Sequence, residues 1–284
     1  MKGRKRYVAW AFLLPNLLGV AVFALFPMLD VLFGAFRSAV GSRWVGLQNF
    51  RTVLENRAFR LAARNTGEFM LVCIPLLLML SLLLALGLRR VRGGRQLRSA
   101  FLLPMAVPAA SVVLVWKLFF HQNGLLNGAL QSLGLQGVNW MGSGASFWVL
   151  IISYLWKNLG YTVVLWTAAL GAIPGSIYEA AQIDGANGRQ SFFRITLPLM
   201  CPSVKIIVVT GLIGGMKAFD AIYSMTSGGP GNATETVMTV MMKKGISDGF
   251  YSVGSAFGVC FFIIVLIISG VTTKIMGKWG EAIS

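Results

Sequence analysis

Six apolar runs, each about long enough to cross a lipid bilayer, constrain this chain more than any other feature of its sequence. A helix needs about 20 apolar residues to span the hydrocarbon core of a membrane. The runs occupy approximately residues 8–29, 69–88, 99–120, 147–171, 204–225 and 252–273. Backbone in contact with lipid must satisfy its hydrogen bonds within the segment, and none of the runs alternates like a strand. The sequence therefore predicts an all-α, polytopic membrane protein with six transmembrane helices.

The composition argues against a soluble protein. Of 284 residues, 56% are hydrophobic and 12% are charged, whereas soluble domains carry roughly 25% charged residues. The net charge of +16 would suit a nucleic acid, but the basic residues lie between the apolar runs, where membrane topology requires them, so no nucleic-acid partner is expected. The uncharged first run, Tyr7 to Leu29, is too long for a typical signal peptide and is predicted to be an uncleaved span.

Lysine and arginine in the short connections predict the orientation. Basic residues are concentrated in the N-terminal tail, in the 89–98 connection and after the last run, whereas residues 121–146 contain no Lys, Arg, Asp or Glu. Because cytoplasmic loops carry the excess of basic residues, both termini are expected in the cytoplasm and residues 121–146 outside. With six spans, the connection after the fourth run then also lies in the cytoplasm.

The segment 30–68 departs from this charge pattern, since it is expected outside yet contains six arginines. Its apolar residues recur at helical spacing, with Arg51 and Glu55 on the opposite face: Phe50, Val53, Leu54, Ala58 and Leu61. It is predicted to be an external amphipathic helix that lies either on the membrane surface or on the bundle. The chain is therefore divided into residues 1–68 (tail, first span and external segment) and 69–284 (five-span core).

The connection over 174–202 is polar and unusually long for a membrane protein. Ser176 stands three residues before Glu179, which is the spacing of a capping box. The predicted parts are a short helix over 177–183, a turn at Asp184-Gly185, a second helix over 190–196 and an end at Pro198. Helices this short are marginal in water. They would persist only when packed on another surface, so this connection is expected to dock something.

This connection resembles the EAA loop in the permease subunits of binding-protein-dependent ABC importers, in the version found in carbohydrate importers. The matching positions are Glu179, Ala180, Ala181, Asp184-Gly185-Ala186, Phe192, Ile195 and Leu197-Pro198. The resemblance implies an ABC importer type I permease fold, in which this coupling loop docks into a groove on an ATP-hydrolysing subunit.

The resemblance also implies a role for each matching residue. Ala180 and Ala181 would allow close backbone approach, and Gly185 the tight turn. Glu179 and Asp184 would pair with basic residues of the ATPase subunit, a role that is compatible with Glu179 capping its own helix. The remaining two, Phe192 and Ile195, would hold the second helix against the permease.

A second stretch, 219–236, looks like a segment of carbohydrate permeases through Phe219-Asp220, Gly228-Gly229-Pro230 and Ala233-Thr234-Glu235-Thr236. Gly-Gly-Pro is a turn signal. The external lead-in Trp44 to Phe50 is also similar to that family. The resemblance implies that the 226–236 turn lies at the external face, where a solute-binding protein docks.

Candidate solute-pathway residues lie in spans four and five. Tyr154, Asn158 and Tyr161 share a helical face at i, i+4 and i+7, and Trp156 and Lys157 stand beside them. Polar and aromatic groups at membrane depth usually face the bundle interior, and aromatic faces suit carbohydrates. In maltose-type permeases, which this region resembles, the corresponding helix lines the sugar site. Packing between helices is the alternative interpretation.

Span five adds Gly215, Lys217 and Asp220 as candidate pathway residues. Lys217 and Asp220 stand at i, i+3 and would form an intrahelical pair in the simpler interpretation. The maltose-type permeases that this region resembles have polar side chains where this chain has glycines, so either the cavity is wider here or the partner permease binds the solute. Lys157 and Lys217 would favour an anionic cargo.

The sequence contains no P-loop motif, no catalytic constellation and no metal-binding cluster. The predicted function is therefore that of a non-enzymatic permease subunit in a bacterial cytoplasmic membrane, without a cofactor of its own. The resemblance implies these partners: a second permease in a heterodimer, two ATPase subunits that bind ATP and Mg, an external solute-binding protein, and a sugar or oligosaccharide. The same architecture importing a glycerol phosphate or another small anionic solute is the alternative. A carrier acting alone would need buried carboxylates, and only Asp220 is available.

Overall fold

A computed structural model describes residues 2–38, 43–91, 94–218 and 220–283 of the chain. Within these ranges the only β pairing is an isolated antiparallel bridge between Arg37 and Trp44, so the all-helical expectation is confirmed. The first half contains α1 (Lys2–Val20), π1 (Ala21–Leu25), α2 (Phe26–Gly34), α3 (Gln48–Glu55), α4 (Arg57–Arg90), α5 (Gly94–Ala106), α6 (Ala109–Phe119) and α7 (Leu125–Ser132). The second half contains α8 (Ser146–Gly171), α9 (Gly175–Ile183), α10 (Gly188–Ser191), π2 (Phe192–Thr196), α11 (Leu197–Leu199), α12 (Cys201–Met216), α13 (Asp220–Thr226), α14 (Val237–Met242), π3 (Lys243–Ser247) and α15 (Tyr251–Ile283).

Four helices of the described chain are long and apolar enough to cross a membrane. They cover Trp10–Gly34, Arg57–Arg89, Ser146–Gly171 and Tyr251–Lys278. Two further pairs of helices meet the same criteria but are bent, and if each pair is one span the total is six. The pair Ser99–Ala106 and Ala109–Phe119 covers the third predicted run, whereas the other pair joins Cys201–Met216 of the fifth run to the preceding stretch Gly188–Leu199.

The third run is bent, not straight. The axes of Ser99–Ala106 and Ala109–Phe119 differ by 96°, and Pro108 lies in the break with an extended ψ of 139°. A proline lacks the amide hydrogen and pushes the preceding residue out of helical geometry. The prediction of one continuous helix over 99–120 was therefore wrong.

The fifth run is also interrupted. Helix α12 ends at Met216, Lys217 is its C-terminal cap, and α13 begins at Asp220. The prediction of a continuous helix over 204–225 was wrong, and Lys217 and Asp220 do not form an i, i+3 pair within one helix. The side chain of Asp220 lies outside the described residues.

The chain divides into two compact units, and the first comprises residues 1–60 and 240–264. Within this unit the Tyr251 hydroxyl donates to the Asp30 carboxylate at 2.9 Å, and the rings of Phe59 and Phe257 meet edge to face. The Asn49 side-chain amide donates to the Ala35 carbonyl at 2.9 Å. The bond from Asn49 fixes the segment that follows α2. The division at residue 68 expected from the sequence stays a prediction.

The external amphipathic helix is shorter than predicted. It is α3 alone, with Val53 fully buried and an exposed Arg51–Glu55 ion pair at 2.8 Å. Asn56 then leaves helical geometry, and its side-chain oxygen accepts the Ala58 amide hydrogen at 2.9 Å. Because Asn56 caps the next helix, Ala58 and Leu61 belong to α4 and not to the amphipathic helix.

The second unit comprises residues 61–239 and 265–284. Its core cluster consists of buried residues from α4, α8 and α12 and their flanks: Ala85, Leu88, Val163, Trp166, Ala169, Leu170, Ile173, Met200, Val204 and Ile207. The Trp166 indole donates to the Ser81 hydroxyl at 2.9 Å, which links α8 to α4. A Cβ at Gly160 would overlap the Phe101 carbonyl, so α5 lies directly against α8. This packed unit supports the polar connection that follows α8.

Candidate functional site

The polar connection after α8 folds as two helices, and we refer to residues 175–199 as the loop hairpin. Helix α9 is followed by a turn in which Gly185 has a φ of +76°. A second helical stretch, Gly188–Leu199, then meets α12 at an angle of 70°. The predicted helix–turn–helix and the turn at Gly185 are confirmed.

Two details of the loop hairpin differ from expectation. The second helical stretch starts at Gly188 and runs through Pro198 to Leu199, so the prediction that Pro198 ends it was wrong. Pro198 is at the start of α11, directly after the π segment. A proline is tolerated in a first helical turn, because its missing amide hydrogen is not needed there.

The capping box lies in the other helix of the loop hairpin. Helix α9 begins at Gly175 with Pro174 as its N-cap and no side-chain cap, so the capping box predicted for Ser176 and Glu179 was wrong. Asn187 and Gln190 form one instead. The Gln190 amide donates to the Asn187 side chain and the Asn187 amide to the Gln190 side chain, both at 2.8 Å.

The inner face of α9 packs on its own chain. Ile177 and Tyr178 pack on the core cluster, and Ala181 is only 7% exposed. The Tyr178 hydroxyl is 2.9 Å from the Thr196 hydroxyl, which joins the two helices of the loop hairpin. Thr196 also donates to the Ser191 carbonyl at 3.2 Å. The loop hairpin is therefore held in place without a partner, and of the two adjacent alanines only Ala180 is exposed.

The outer face of α9 is exposed. Ser176, Glu179, Ala180 and Ile183 share this face and are all exposed, and Asp184 follows them at the turn. The Ile183 side chain is 86% exposed, more than any other large apolar side chain in residues 10–38, 43–89, 99–218 and 222–278. Sequence reasoning missed Ile183, although its i+4 spacing from Glu179 was a usable signal.

The second helical stretch has two half-buried apolar side chains, as expected, and one exposed phenylalanine that was not expected. Phe192 and Ile195, which were expected to hold it against the permease, are half-buried. The Phe192 ring meets the Phe193 ring edge to face at 5.1 Å, and Phe193 is exposed. Phe193 thus adds a second apolar side chain to the exposed surface of the loop hairpin.

The three residues of the predicted stripe on α8 have different environments. Tyr154 is half-buried, and its ring meets the edge of Phe69 at 5.5 Å. The Asn158 amide donates to the Tyr154 carbonyl at 2.8 Å, so it is partly used within its own helix. Tyr161 is 43% exposed. Tyr154 therefore follows the packing interpretation, whereas Tyr161 presents an accessible ring.

Trp156 and Lys157 were expected to lie beside the stripe, but their side chains have different surroundings in the structure. Trp156 is about 200° around the helix from Tyr154 at 100° per residue, and its ring meets Trp116 of α6 at 5.7 Å. Trp156 is therefore not part of the stripe. Lys157 is half-buried and forms no ion pair with any carboxylate that the structure describes.

The residues proposed in span five are not brought together with the stripe as a group. Gly215 is buried where a Cβ would lie 2.9 Å from the Ile74 side chain, so it permits close packing of α12 on α4. The neighbouring Gly214 faces the Tyr154 hydroxyl, which would be 3.2 Å from its Cβ. Lys217 is exposed at the end of α12, and Asp220 cannot be placed because its side chain is outside the described residues.

The second connection with a family resemblance is ordered by polar contacts, and we call residues 226–237 the Gly-Gly-Pro loop. The Thr234 hydroxyl donates to the Gly229 carbonyl at 2.6 Å. The Asn65 side chain of α4 donates to the Asn232 carbonyl at 2.9 Å and to the Glu235 carbonyl at 3.0 Å. The turn expected here is confirmed, and Asn65 is a contributor that sequence reasoning missed.

The parts of the chain that the structure describes contain no group of three or more His, Cys, Asp or Glu side chains that could hold a metal ion. Cys73 and Cys201 are buried and Cys260 is half-buried, and all three are free thiols.

Comparisons with known proteins are consistent with this geometry. Residues 77–279 match the family model described as binding-protein-dependent transport system inner membrane component. The trehalose/maltose transport system permease protein MalF of Thermococcus litoralis is 34% identical over 282 residues, which cover 97% of this chain and 95% of that protein. The arabinooligosaccharides transport system permease protein AraP of Bacillus subtilis is 30% identical over 283 residues, which cover 97% of this chain and 90% of that protein.

The fold has been seen in a solved structure. A crystal structure of a bacterial ABC transporter involved in the import of the acidic polysaccharide alginate matches with a TM-score of 0.87 at 23% identity, covering 97% of this chain and 96% of that chain. The likeness shows the fold, and the family model covers most of the sequence. The chain therefore belongs to the family of inner membrane components of binding-protein-dependent transport systems.

Proposed function

We propose that this chain is the membrane-spanning subunit of an ATP-driven importer whose cargo is a sugar or an oligosaccharide. Family membership supports the transport role. Two relatives carry the names of a trehalose/maltose and an arabinooligosaccharide transport permease, which favours a saccharide. The observation that carries the ATP-driven mechanism is the exposed outer face of the loop hairpin, with Glu179, Ala180 and Ile183 on an ordered helix.

The outer face has the properties of a docking surface. Ile183 is almost fully exposed, and burial of an isoleucine side chain contributes about 1.5–3 kcal/mol. Beside it, Ala180 allows a partner's backbone to approach closely, and Glu179 and Asp184 offer negative charge. The proposed partner is the groove of a separate ATP-hydrolysing subunit that carries basic residues, with Glu179 and Asp184 as the pairing groups.

The inner face of the loop hairpin explains how a movement of that partner would reach the spans. Ile177, Tyr178 and Ala181 pack inward, and the Tyr178–Thr196 contact joins the two helices. Because the core cluster combines residues of α4, α8 and α12, displacement of α9 is transmitted to helices that span the membrane. We propose that ATP and Mg, bound by two partner subunits, drive this displacement.

The remaining partners follow from the same proposal. A second, similar permease would complete the pathway as a heterodimer. An external solute-binding protein would dock at the Gly-Gly-Pro loop, which is held by Asn65. The charge pattern supports the proposal that both termini and the loop hairpin lie in the cytoplasm, and the bacterial cytoplasmic membrane is the proposed location.

The cargo would contact the accessible part of the α8 stripe. Tyr161 offers an exposed ring, and Asn158 retains a side-chain oxygen for hydrogen bonding. A small anionic solute such as a glycerol phosphate is a second candidate cargo, because Lys157 is half-buried without a carboxylate partner among the described residues. In that case Lys157→Gln would lower uptake of the anion about tenfold or more. Uptake of a neutral sugar would change little.

Co-purification tests the docking role. Tagged protein is purified in mild detergent from its own membranes, as wild type and as Glu179→Lys. The matched control is Glu55→Lys, which reverses an equally exposed carboxylate that forms only a surface ion pair in α3. We expect an ATPase subunit and a second permease to co-purify with the wild type and the control, and the ATPase subunit to be lost from Glu179→Lys.

Two results would contradict the proposal. One is recovery of the wild-type chain alone together with solute uptake that does not require ATP. The other is full ATPase association and uptake in Glu179→Lys. Membrane insertion of each variant, measured by its yield in washed membranes, separates loss of docking from loss of folding.

A further inference from the structure

A cavity of about 470 Å³ lies between the loop hairpin and the end of α4. It is lined at one end by Leu86 and Arg89, from the end of α4, and elsewhere by residues of both helices of the loop hairpin, including Gln182 and Ser191. A ligand here would touch a membrane span and the docking hairpin at the same time.

The charge in this cavity comes from Arg89. No carboxylate lines it, and Arg89 forms no ion pair with the carboxylates that the structure describes. The guanidinium is positioned by the Tyr178 ring, with its central carbon 5.8 Å from the ring centroid. This contact leaves the hydrogen-bond donors along the guanidinium edge available.

Two neutral donors accompany Arg89. The Gln182 amide and the Ser191 hydroxyl line the same space, and neither side chain is used in a hydrogen bond to the described residues. The hydroxyls of Tyr178 and Thr196 bind each other and are therefore less available. Guanidinium, amide and hydroxyl donors that line one cavity without a carboxylate suit the oxygens of a phosphate group, which guanidinium groups bind strongly.

The size and the apolar walls of the cavity further restrict which kind of ligand would fit. Leu86 and Phe192 form apolar surface beside the donors, and volumes of roughly 300–1,000 Å³ are typical of sites for small organic ligands. Inorganic phosphate alone would leave most of this space and both apolar walls without contact. A phosphate ester, with its organic part against Leu86 and Phe192, would use both parts of the cavity.

We propose that this cavity is a regulatory site for a phosphate ester, which Arg89, Gln182 and Ser191 bind and which braces the loop hairpin against the end of α4. The ester is either the headgroup of an anionic phospholipid or a soluble phosphorylated metabolite. The inference rests on the proposed docking function, since the brace acts on the element that receives the ATPase subunit. Occupancy restricts the movement of α9 relative to α4 and so changes the rate of ATP-driven transport.

The test uses the assembled transporter in nanodiscs and measures deuterium exchange of residues 175–199 together with ATPase activity. In the soluble arm, glucose 6-phosphate is titrated in phosphatidylcholine nanodiscs, with glucose and inorganic phosphate as controls. In the lipid arm, phosphatidylglycerol replaces part of the phosphatidylcholine. We expect slower exchange of the 175–199 segment in one arm, and a half-saturating amount that rises about tenfold or more in Arg89→Gln.

Matched variants separate the cavity from general charge effects. Arg194→Gln removes the same charge from an exposed position of the loop hairpin outside the cavity and should respond like the wild type. Arg89→Lys keeps the charge but loses the forked geometry, and we expect an intermediate response. The insertion and yield of Arg89→Gln, compared with those of Arg89→Lys, show whether a failure of Arg89→Gln reflects misfolding.

Each outcome decides the proposal. A response in the soluble arm identifies a metabolite, and a response in the lipid arm alone identifies a lipid headgroup. No response, or an equal response in wild type and Arg89→Gln, overturns the site; this is also what a cavity filled by a partner's carboxylate would give. If ATPase activity is intact in the same preparation, only the site has failed. A preparation that lacks ATPase subunits overturns the proposed function as well.

Discussion

The loop hairpin and the Gly-Gly-Pro loop are both connections between helices, but they are stabilised in different ways. The Gly-Gly-Pro loop is fixed by hydrogen bonds to its own polar groups, such as Thr234 to Gly229, and by Asn65 from α4. The loop hairpin is fixed by an apolar inner face and one hydroxyl pair. It leaves Ile183 and Phe193 exposed on the other side.

The Gly-Gly-Pro loop therefore satisfies its polar groups within the chain, whereas the loop hairpin leaves apolar surface that only a partner can cover. Polar groups that are satisfied internally define a fixed shape, which suits recognition of a surface by its form. An ordered hairpin with exposed large apolar side chains gains free energy from them only when a partner covers them. The comparison therefore predicts that variants of the loop hairpin affect assembly with a partner, and variants of the Gly-Gly-Pro loop its own order.

The largest effect is expected from Ile183→Asp. A carboxylate placed where the proposed interface buries an apolar side chain is costly to desolvate, so ATP-driven uptake in proteoliposomes should fall about tenfold or more. Thermal stability should be unchanged because the side chain is exposed. Leu133→Asp, the same kind of apolar-to-charged change at an exposed residue at the end of α7, is the control. Normal uptake by Ile183→Asp would remove the distinction between the two connections.

Ala181 and Ala180 form a matched pair that tests the two faces of α9. Ala181→Leu overfills a buried position and should lower the free energy of unfolding by about 1–3 kcal/mol, seen as a lower melting temperature in detergent. Ala180→Leu should leave the melting temperature unchanged and weaken ATPase association instead. Equal effects of the two substitutions on both measurements would show that the faces are not distinct.

Asn65→Ala tests the Gly-Gly-Pro loop. It removes two donors and leaves the Asn232 and Glu235 carbonyls without them, at a cost of about 1–2 kcal/mol. Deuterium exchange of residues 226–237 should become faster, while residues 175–199 serve as an internal control and remain unchanged. A change confined to the loop hairpin would contradict the assignment of Asn65 to the loop.

The smallest effect is expected from Asn187→Ala, which removes the capping box of the loop hairpin. Loss of an N-cap costs about 1 kcal/mol, so exchange at residues 188–191 should increase, with only a modest change in uptake. Asn187→Ser restores a capping oxygen and should reverse the effect. If Ser176→Ala had the larger effect on exchange, the cap would lie in α9 after all.

The two candidate capping boxes show how much of a helix terminus could be predicted from local sequence. Ser176 with Glu179 and Asn187 with Gln190 both have the required spacing, and the structure uses only the second. The difference arises because α9 begins at Gly175, one residue before Ser176. The spacing of two residues does not specify where a helix starts, since that depends on how the helix packs.

The stripe on α8 shows the same limit at the level of side chains. Helical periodicity grouped Tyr154, Asn158 and Tyr161, but packing on Phe69 covers Tyr154 and leaves Tyr161 accessible. Periodicity would also have shown that Trp156 lies on the other side, where it meets Trp116. Contacts with residues distant in sequence, such as Asn65 with the Gly-Gly-Pro loop, have no local signal.

The sequence by itself determined that this chain forms membrane-spanning helices with an ordered polar hairpin between two of them. It could do so because lipid admits only segments that satisfy their own backbone hydrogen bonds. Only the tertiary structure decided where those helices break: Pro15, Pro75 and Pro104 lie within helices, whereas the chain bends sharply at Pro108. A proline in the interior of a helix removes one backbone hydrogen bond and crowds the preceding turn. Whether the helix bends there depends on the packing of neighbouring helices, which also placed Ala181 inward, left Ile183 exposed and formed the cavity at Arg89.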